Sequence, residues 1–385
     1  MRGGPLRHLE EELSRLEEEG LLRHPGGGGR RGASDLLVLC SNDYLGYGSE
    51  PLGLEGVAEI GGVSGGAGAS RLVSGDHEAH WLAERELADW LGVEGALLFS
   101  SGYAANVGVV SALARPGDRI ISDALNHASL IDGCRLSGAS ISVTAHCDAG
   151  DVERALAEDR GASRRRWVIT ESYFSMDGDI PDLRRLRAIC DEHDAALIVD
   201  EAHALGVFGP RGAGLCAEAQ VRPDVMIATL GKALGVQGAF AAGSSVLRTY
   251  LWNRARSFVF STGVSPFLAV AVAGRARRAA LDDAGRRRLH WVSDHLRRGL
   301  STIFPDRVRG SRGPVIPLLV GSSIAAVDLS KRLRDRGVLV QAIRPPTVPR
   351  DTARLRVTAS APLSDGDIAR ALDAFASAAS GVCFT

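Results

Sequence analysis

Among the 45 basic residues of this 385-residue chain only two are lysine, Lys232 and Lys331. A guanidinium stays protonated at neutral pH and cannot act as an amine nucleophile, so any Schiff-base chemistry has at most two candidates. Lys232 directly follows the strand-like run 225–229, in the turn ATLGKALG. Open α/β sheets place their ligands at the carboxyl ends of parallel strands. Lys331 falls instead in a helical pattern set by Val327, Leu329 and Leu333, and reads as a surface residue.

Asp200 ends the apolar run AALIVD, which presents a carboxylate at a strand tip. Burial there is costly without a cationic partner, and a protonated pyridine nitrogen is one such partner. A helix cap or a metal ligand are the alternatives. His203, three residues on, is placed to orient that carboxylate or to touch a ring substituent. The string DEAH also occurs in nucleotide-hydrolysing motors, but those need the phosphate loop GxxxxGK[ST]. Here Gly231-Lys232 is followed by Ala233, and Met226 stands where the first glycine belongs. A nucleotide-binding α/β protein is therefore the weaker alternative.

An anion has its own cradle in SSGYAAN, where Gly102 and Tyr103 offer backbone N–H groups at an expected helix start, with hydroxyls at Thr229 and at Ser261-Thr262. His127, in NHASL after another strand, is suited to stack on a flat cofactor or to serve as an acid. His77, His80 and Glu84 share one helical face, a spacing open to a metal, although chance explains it more simply. In ARLRV the period-two alternation puts Arg354 and Arg356 on one face, either a carboxylate site or a solvated strand face.

These residues need a scaffold, and the chain supplies one. From about residue 95, short apolar runs (ALLFSSG, DRIISD, ISVTAH, RWVITES, AALIVDEAH, DVMIATLGK, GAFAAG) alternate with amphipathic segments such as 181–193. That alternation implies a mostly parallel sheet covered on both faces. After Pro266 comes a long Arg- and Ala-rich helical stretch. A smaller α/β layer then follows: strand PVIPLLVG, helix AAVDLSKRLRDRG, strands VLVQAI and ARLRVTA, and helix DIARALDAFASA. Leu9, Leu13 and Leu16 mark an amphipathic N-terminal helix that ends before the Pro25 and Gly26–Gly29 loop. The organisation expected is an N-terminal helix and loop over 1–40, a large domain over 41–265, and a linking helix with a small domain over 266–385.

Composition narrows the class. Apolar residues make up 45% and charged residues 24%, the balance of a globular protein, and the formal net charge is -1. No global positive field recruits nucleic acid or anionic lipid. The start of the chain lacks the unbroken apolar stretch of a signal peptide or membrane span, so a cytoplasmic protein is expected. Six cysteines without a CxxC pair fit reduced thiols rather than disulfides or a zinc cluster, and no metal is expected.

Taken together, SNDYLG, SGYAAN, NHASL, ESYFSMDGD, VDEAH, TLGKALG and FSTG, in this order over nearly the whole chain, resemble the α-oxoamine synthases. The resemblance implies a fold-type I pyridoxal 5'-phosphate (PLP) transferase, aspartate aminotransferase-like, that condenses an amino acid with an acyl thioester and loses carbon dioxide. It implies that Lys232 holds the cofactor, Asp200 pairs its ring nitrogen, and His127 stacks on the ring and assists catalysis. By the same resemblance Ser175 and His203 bind the ring oxygen, and Gly102, Tyr103 and Thr229 hold the phosphate. It further implies a homodimer in which Ser261 and Thr262 reach the phosphate from the partner subunit. The resemblance likewise implies that Arg356 and Asn42 take the amino-acid carboxylate and that Arg344, Thr347 and Arg23 serve the acyl tail.

Within the family, AIRPPTVPRDTARLRVT is most similar to the biotin-pathway member that joins L-alanine to a pimeloyl thioester, carried on coenzyme A or acyl carrier protein. Relatives that use glycine or another acyl thioester, in aminolevulinate synthesis or secondary metabolism, are the alternative. The chain departs from the family pattern at Asp351, where glycine is common, at Ala228, and in GGAGAS over Gly65–Ser70.

Overall fold

A computed structural model describes residues 6, 8–22, 36–52, 63–159, 161–310 and 312–379. It divides into two compact units. One comprises Met1–Asn42, Met176–Gly178 and Arg288–Thr385, the other Asp43–Ser175 and Asp179–Arg287.

The second unit is built on a seven-stranded sheet. Its strands are β2 (Gly95–Phe99), β3 (Arg119–Asp123), β4 (Ser140–Thr144), β5 (Arg166–Glu171), β6 (Ala196–Asp200), β7 (Val225–Thr229) and β8 (Ala239–Gly243), after the short β1 (Leu37–Val38) of the first unit. The order is β2-β8-β7-β6-β5-β3-β4. β4, β3, β5, β6 and β7 run parallel, and β8 pairs antiparallel with both β7 and β2. Each apolar run read from residue 95 onward is thus one strand of this sheet, and the mostly parallel α/β layering is borne out.

Central strands are apolar on both faces because helices cover both. Leu197, Ile198 and Val199 of β6 are at most 1% exposed, each worth about 1.5–3 kcal/mol of burial. The edge strand β4 leaves Ile141 and Val143 exposed. On one face Val109, Val110, Leu113 and Leu130, from helices Gly102–Leu113 and Ala128–Ser137, pack against Leu97, Ile120, Ile169, Ile198 and Ile227. Helix starts follow local chemistry. The side chains of Ser101 and Asp182 accept the N–H of Ala104 and Arg185 respectively, the bonds that N-cap residues make. The stretch after Pro266 runs as two helices, Pro266–Leu281 and Asp283–Ile303, broken at Asp282. There the Asp282 carboxylate accepts the N–H of Gly285 and the Tyr47 hydroxyl.

The first unit holds an antiparallel sheet of β9 (Val315–Gly321), β11 (Gln341–Ile343) and β12 (Ala353–Thr358), ordered β11-β12-β9, flanked by helices Ser323–Arg334 and Asp365–Ala379. VLVQAI is two strands rather than one. β10 (Val338–Leu339) pairs with β1, and the chain then turns at Val340 so that β11 pairs with β12. Helix His8–Glu18 forms as its leucine spacing predicts, although Leu9 and Leu13 are 45% and 51% exposed. Asp351 adopts φ 62°, the left-handed region that favours glycine and tolerates aspartate. That conformation accounts for glycine being usual at this position. The Gly26–Gly29 run, Arg23 and Cys383 lie outside the described residues.

Candidate active site

In the sheet-bearing unit the carboxyl ends of β5, β6 and β7 carry Glu171, Asp200 and Thr229. Lys232 follows β7 in a tight turn closed by Leu230 N–H to Gly238 O and Gly235 N–H to Lys232 O. Gly235 has φ +65°, and a Cβ there would come within 2.2 Å of Gly48 N, so only glycine lets this turn close. Lys232 Nζ lies 2.8 Å from His203 Nε2, and His203 Nδ1 lies 2.6 Å from the hydroxyl of the fully buried Tyr44.

Asp200 is 5% exposed. Its Oδ1 accepts the N–H of Ala202 at 2.8 Å, and its Oδ2 accepts Asn106 Nδ2 at 2.7 Å. That amide also reaches Ser129 Oγ at 2.9 Å, and Asn106 Oδ1 is buried without a hydrogen-bond partner among the described residues. His127 caps helix Ala128–Ser137. Its own N–H donates to Glu171 Oε1 at 2.7 Å, while its Nδ1 accepts the Ser129 N–H at 3.3 Å. A backbone N–H can only donate, so the neutral ring carries its proton on Nε2. His127 is exposed. Partial desolvation lowers its pKa, opposed by the Asp200 charge and reinforced by Lys232, so it is in electrostatic reach of both. Glu171 is pushed up to about 8 by burial first and then by Asp200, with Lys232 acting against them.

Helix Gly102–Leu113 starts beside this cluster. The first N–H groups of a helix have no intrahelical acceptor and favour anions. A Cβ on Gly102 would lie 3.5 Å from Thr229 Cβ, so this helix start and the Thr229 side chain are neighbours. Tyr103 is half exposed and turns its hydroxyl to Asp132. Ser175 is partly buried three residues beyond Ser172, whose hydroxyl donates to Glu201. Ser261 and Thr262 line a small hollow with Arg71 and Ser100. No hydrogen bond among the described residues joins them to Lys232, Thr229 or Asp200.

In the other unit, Arg354 and Arg356 of β12 are each 5% exposed, which overturns the solvated-face reading of ARLRV. Arg354 pairs with Asp177, and Arg356 donates to Asn42 Oδ1 at 2.9 Å. Arg344 donates to the Gly20 carbonyl, and Thr347 is exposed one short turn on, its N–H on Arg344 O.

Two alternatives lose their footing. His77 caps helix Glu78–Leu91, His80 Nε2 contacts Val264 O, and Glu84 is tied to Arg71 and Arg248, so the three do not converge on a metal. Glu201 of DEAH is fully buried and accepts from Ser172, Leu215 and Cys216, which leaves it structural. Asp123, His146 and Cys147 do bring O, N and S atoms within 4.8 Å of one another. Both nitrogens of His146 are taken by Asp123 and Asp179, however, an ion network rather than an open ligand set. Among the described residues no helix is long and apolar enough to cross a membrane.

Tyr44, Asn106 and Glu171 were not singled out by the sequence. Glu171 carried a usable signal, because it ends the apolar run RWVITE just as Asp200 ends AALIVD.

An amine, an amide-held carboxylate and a helix start at the carboxyl end of a mostly parallel sheet define a fold-type I PLP transferase. The chain belongs to the aminotransferase class I and II family, whose model matches residues 34–375. It is 45% identical to the 8-amino-7-oxononanoate synthase of Marinobacter nauticus, over 89% of this chain and 86% of that one. It is 43% identical to that of Geobacter sulfurreducens, over 96% and 97%. Among solved structures it superposes on the serine palmitoyltransferase of Sphingomonas wittichii with a TM-score of 0.88 at 29% identity, covering 97% of each chain. A second serine palmitoyltransferase, solved with PLP, gives 0.87 at 27% identity over 98% of both chains. The resemblance to the α-oxoamine synthases is borne out.

Proposed function

We propose that this chain is a PLP-dependent acyltransferase that condenses L-alanine with a pimeloyl thioester, releasing carbon dioxide and free thiol and forming 8-amino-7-oxononanoate for biotin synthesis. The observation that carries the reading is the cluster at the ends of β6 and β7. There a nearly buried carboxylate, Asp200, held by Asn106, shares an electrostatic environment with the Lys232 amine and the His127 ring. Relatives named for this activity, matching nearly the full chain at 43–45% identity, support it.

The residues fit PLP. A buried carboxylate suits a protonated ring nitrogen, the orphaned Asn106 Oδ1 leaves an acceptor beside it, and the Gly102 helix start next to Thr229 suits a phosphate. When bound, PLP supplies an aldehyde that takes an amine and a cationic ring that accepts the electron pair left at Cα. Lys232 would hold it covalently. Freed by the amino-acid substrate, the Lys232 amine would remove the Cα proton and later return one to the product carbon.

Asp200 would keep the ring nitrogen protonated, and Asn106 would aim that carboxylate. His127 would cover the ring and offer its Nε2–H to the thioester carbonyl as the Cα–C bond forms and thiolate departs. Ser175 and His203 would bind the ring oxygen, and Gly102, Tyr103 and Thr229 the phosphate. Asn42 and Arg356 would take the alanine carboxylate that leaves as carbon dioxide, and Arg344 and Thr347 the distal end of the acyl chain. Arg23 is assigned to the same end. A homodimer is part of the proposal. Ser261 and the exposed Thr262 would complete the partner's phosphate site, and the 73% exposed Phe260 beside them suits a covered surface.

The test is thiol release by the PLP-loaded protein given pimeloyl-coenzyme A, or pimeloyl carrier protein, with L-alanine, glycine or L-serine. Release with alanine and a product of the expected mass is the outcome expected. Release with glycine or serine alone would keep the cofactor chemistry and overturn the substrate.

A further inference from the structure

Three groups stand in line in the sheet-bearing unit. They are the Tyr44 hydroxyl, the His203 imidazole and the Lys232 amine, with contacts of 2.6 Å at Nδ1 and 2.8 Å at Nε2. Tyr44 is 0% exposed and His203 5%, so bulk water does not stand in for either partner. A neutral imidazole carries one proton, and the nitrogen that carries it is set by the contact the other nitrogen makes. With the proton on Nδ1, Nε2 is an acceptor, which stabilises Lys232 as an ammonium. With the proton on Nε2, the lysine meets a donor, and a donor is satisfied only by the lone pair of a free amine.

A phenolic oxygen shares its lone pairs with the ring and is a better donor than acceptor. The short Tyr44 contact is therefore best made as O–H donating to Nδ1, which leaves the imidazole proton on Nε2, facing Lys232. We propose that Tyr44 is a positioning residue that sets the tautomer of His203 and so shifts the balance at Lys232 from ammonium toward the free amine, the form that bonds an aldehyde and removes a proton. The inference rests on the reading of Lys232 as the cofactor lysine and goes beyond it. It assigns the residue that prepares the amine, which Tyr44 reaches through His203. No proton is consumed or lost in the arrangement; a single imidazole proton is placed on one nitrogen rather than the other.

The scarcity of lysine makes the test direct. The full-length chain carries two lysines, and Lys331 lies exposed on helix Ser323–Arg334, so it serves as an internal reference. Full-length protein without added PLP is treated briefly with an amine-acylating reagent at fixed pH, and peptide mass spectrometry gives the ratio of label at Lys232 to label at Lys331. Tyr44→Phe keeps the ring and removes the hydroxyl, and the ratio should fall about threefold to tenfold, the worth of one hydrogen bond. In a His203→Asn background the amide donates to the lysine without any tautomer to set, and Tyr44→Phe should then leave the ratio unchanged.

A ratio unaltered by Tyr44→Phe in the wild-type background would overturn the proposal. So would an equal fall in the His203→Asn background, which would mean that Tyr44 acts through packing. Should Tyr44→Phe fail to fold, His203→Asn and His203→Ala decide the matter. A lower ratio in the alanine form supports the proposal, and equal ratios overturn it. None of these readouts involves alanine or a thioester, so failure of the thiol-release assay would leave the labelling result standing.

Discussion

Asn106 Nδ2 donates to Asp200 Oδ2 at 2.7 Å and reaches Ser129 Oγ at 2.9 Å from the same nitrogen. One amide therefore ties the helix after β2, the helix after β3 and the tip of β6, and it fixes the orientation of the Asp200 carboxylate. Asn106→Ala removes a buried donor from a nearly buried carboxylate, a loss of about 1–3 kcal/mol. PLP should bind roughly tenfold more weakly or worse, measured by equilibrium dialysis of the loaded protein, while Asn106→Asp should fare no better because it sets two carboxylates together. Wild-type affinity in both variants would remove Asn106 from the site.

Lys232→Ala should abolish covalent retention of PLP, and Lys331→Ala should not. Borohydride reduction of the loaded wild-type protein, followed by peptide mapping, should place the cofactor mass on Lys232 alone. Label on the Lys331 peptide would overturn the assignment.

Glu171 supplies a pH dependence. Burial and the neighbouring Asp200 raise its pKa to about 8, against about 4.3 for the free side chain. Between these values the folded chain holds a proton that the unfolded chain has released. This contribution to stability is complete below about pH 4.3 and is lost as pH rises toward 8, at up to ~1.4 kcal/mol per pH unit. Glu171→Gln keeps an acceptor for the His127 N–H and removes the titration. Thermal melts of the variant from pH 5 to 8 should be flatter than those of wild type, and parallel curves would contradict the reading.

Arg344→Ala should separate two acyl chains. On the proposed assignment a chain ending in a carboxylate would gain a charge-assisted bond from the guanidinium, whereas an uncharged chain of similar length would not. The kcat/KM for a pimeloyl thioester should fall about tenfold or more, with little change for a heptanoyl thioester. Equal losses would leave Arg344 as the support for Gly20 that its contact with the Gly20 carbonyl already makes it.

His146 is held up to about 12 despite burial, because hydrogen bonds to Asp123 and Asp179 outweigh the desolvation. The raised value means that its stabilising effect is complete below the unfolded pKa of about 6.5 and declines at higher pH. His146→Gln should cost about 2 kcal/mol at pH 6 and less at pH 9, read from denaturant midpoints. A cost that grows with pH would reverse the sign assigned to it.

Much of this site can be read along the chain because its signals are local. A lysine after an apolar run, an aspartate at the end of another and glycines at a turn are each visible within a few residues. Seven apolar runs of strand length and the helical spacing between them likewise imply a covered parallel sheet, since periodicity records which faces meet the core. Lys331 read as a surface residue, and it is exposed on its helix.

Partnerships between distant residues were decided only by the tertiary structure. Tyr44 meets His203 across 159 positions and Asn106 meets Asp200 across 94. Such pairs depend on strand order, which no local pattern encodes. Burial of Arg354 and Arg356 was undecidable for the same reason. Alternation places two arginines on one face, but whether water or Asp177 and Asn42 lies opposite depends on how the chain returns over β12. Residue type and spacing therefore determine which groups are available, and folding determines which of them share a low-dielectric environment where a single proton or hydrogen bond changes their chemistry.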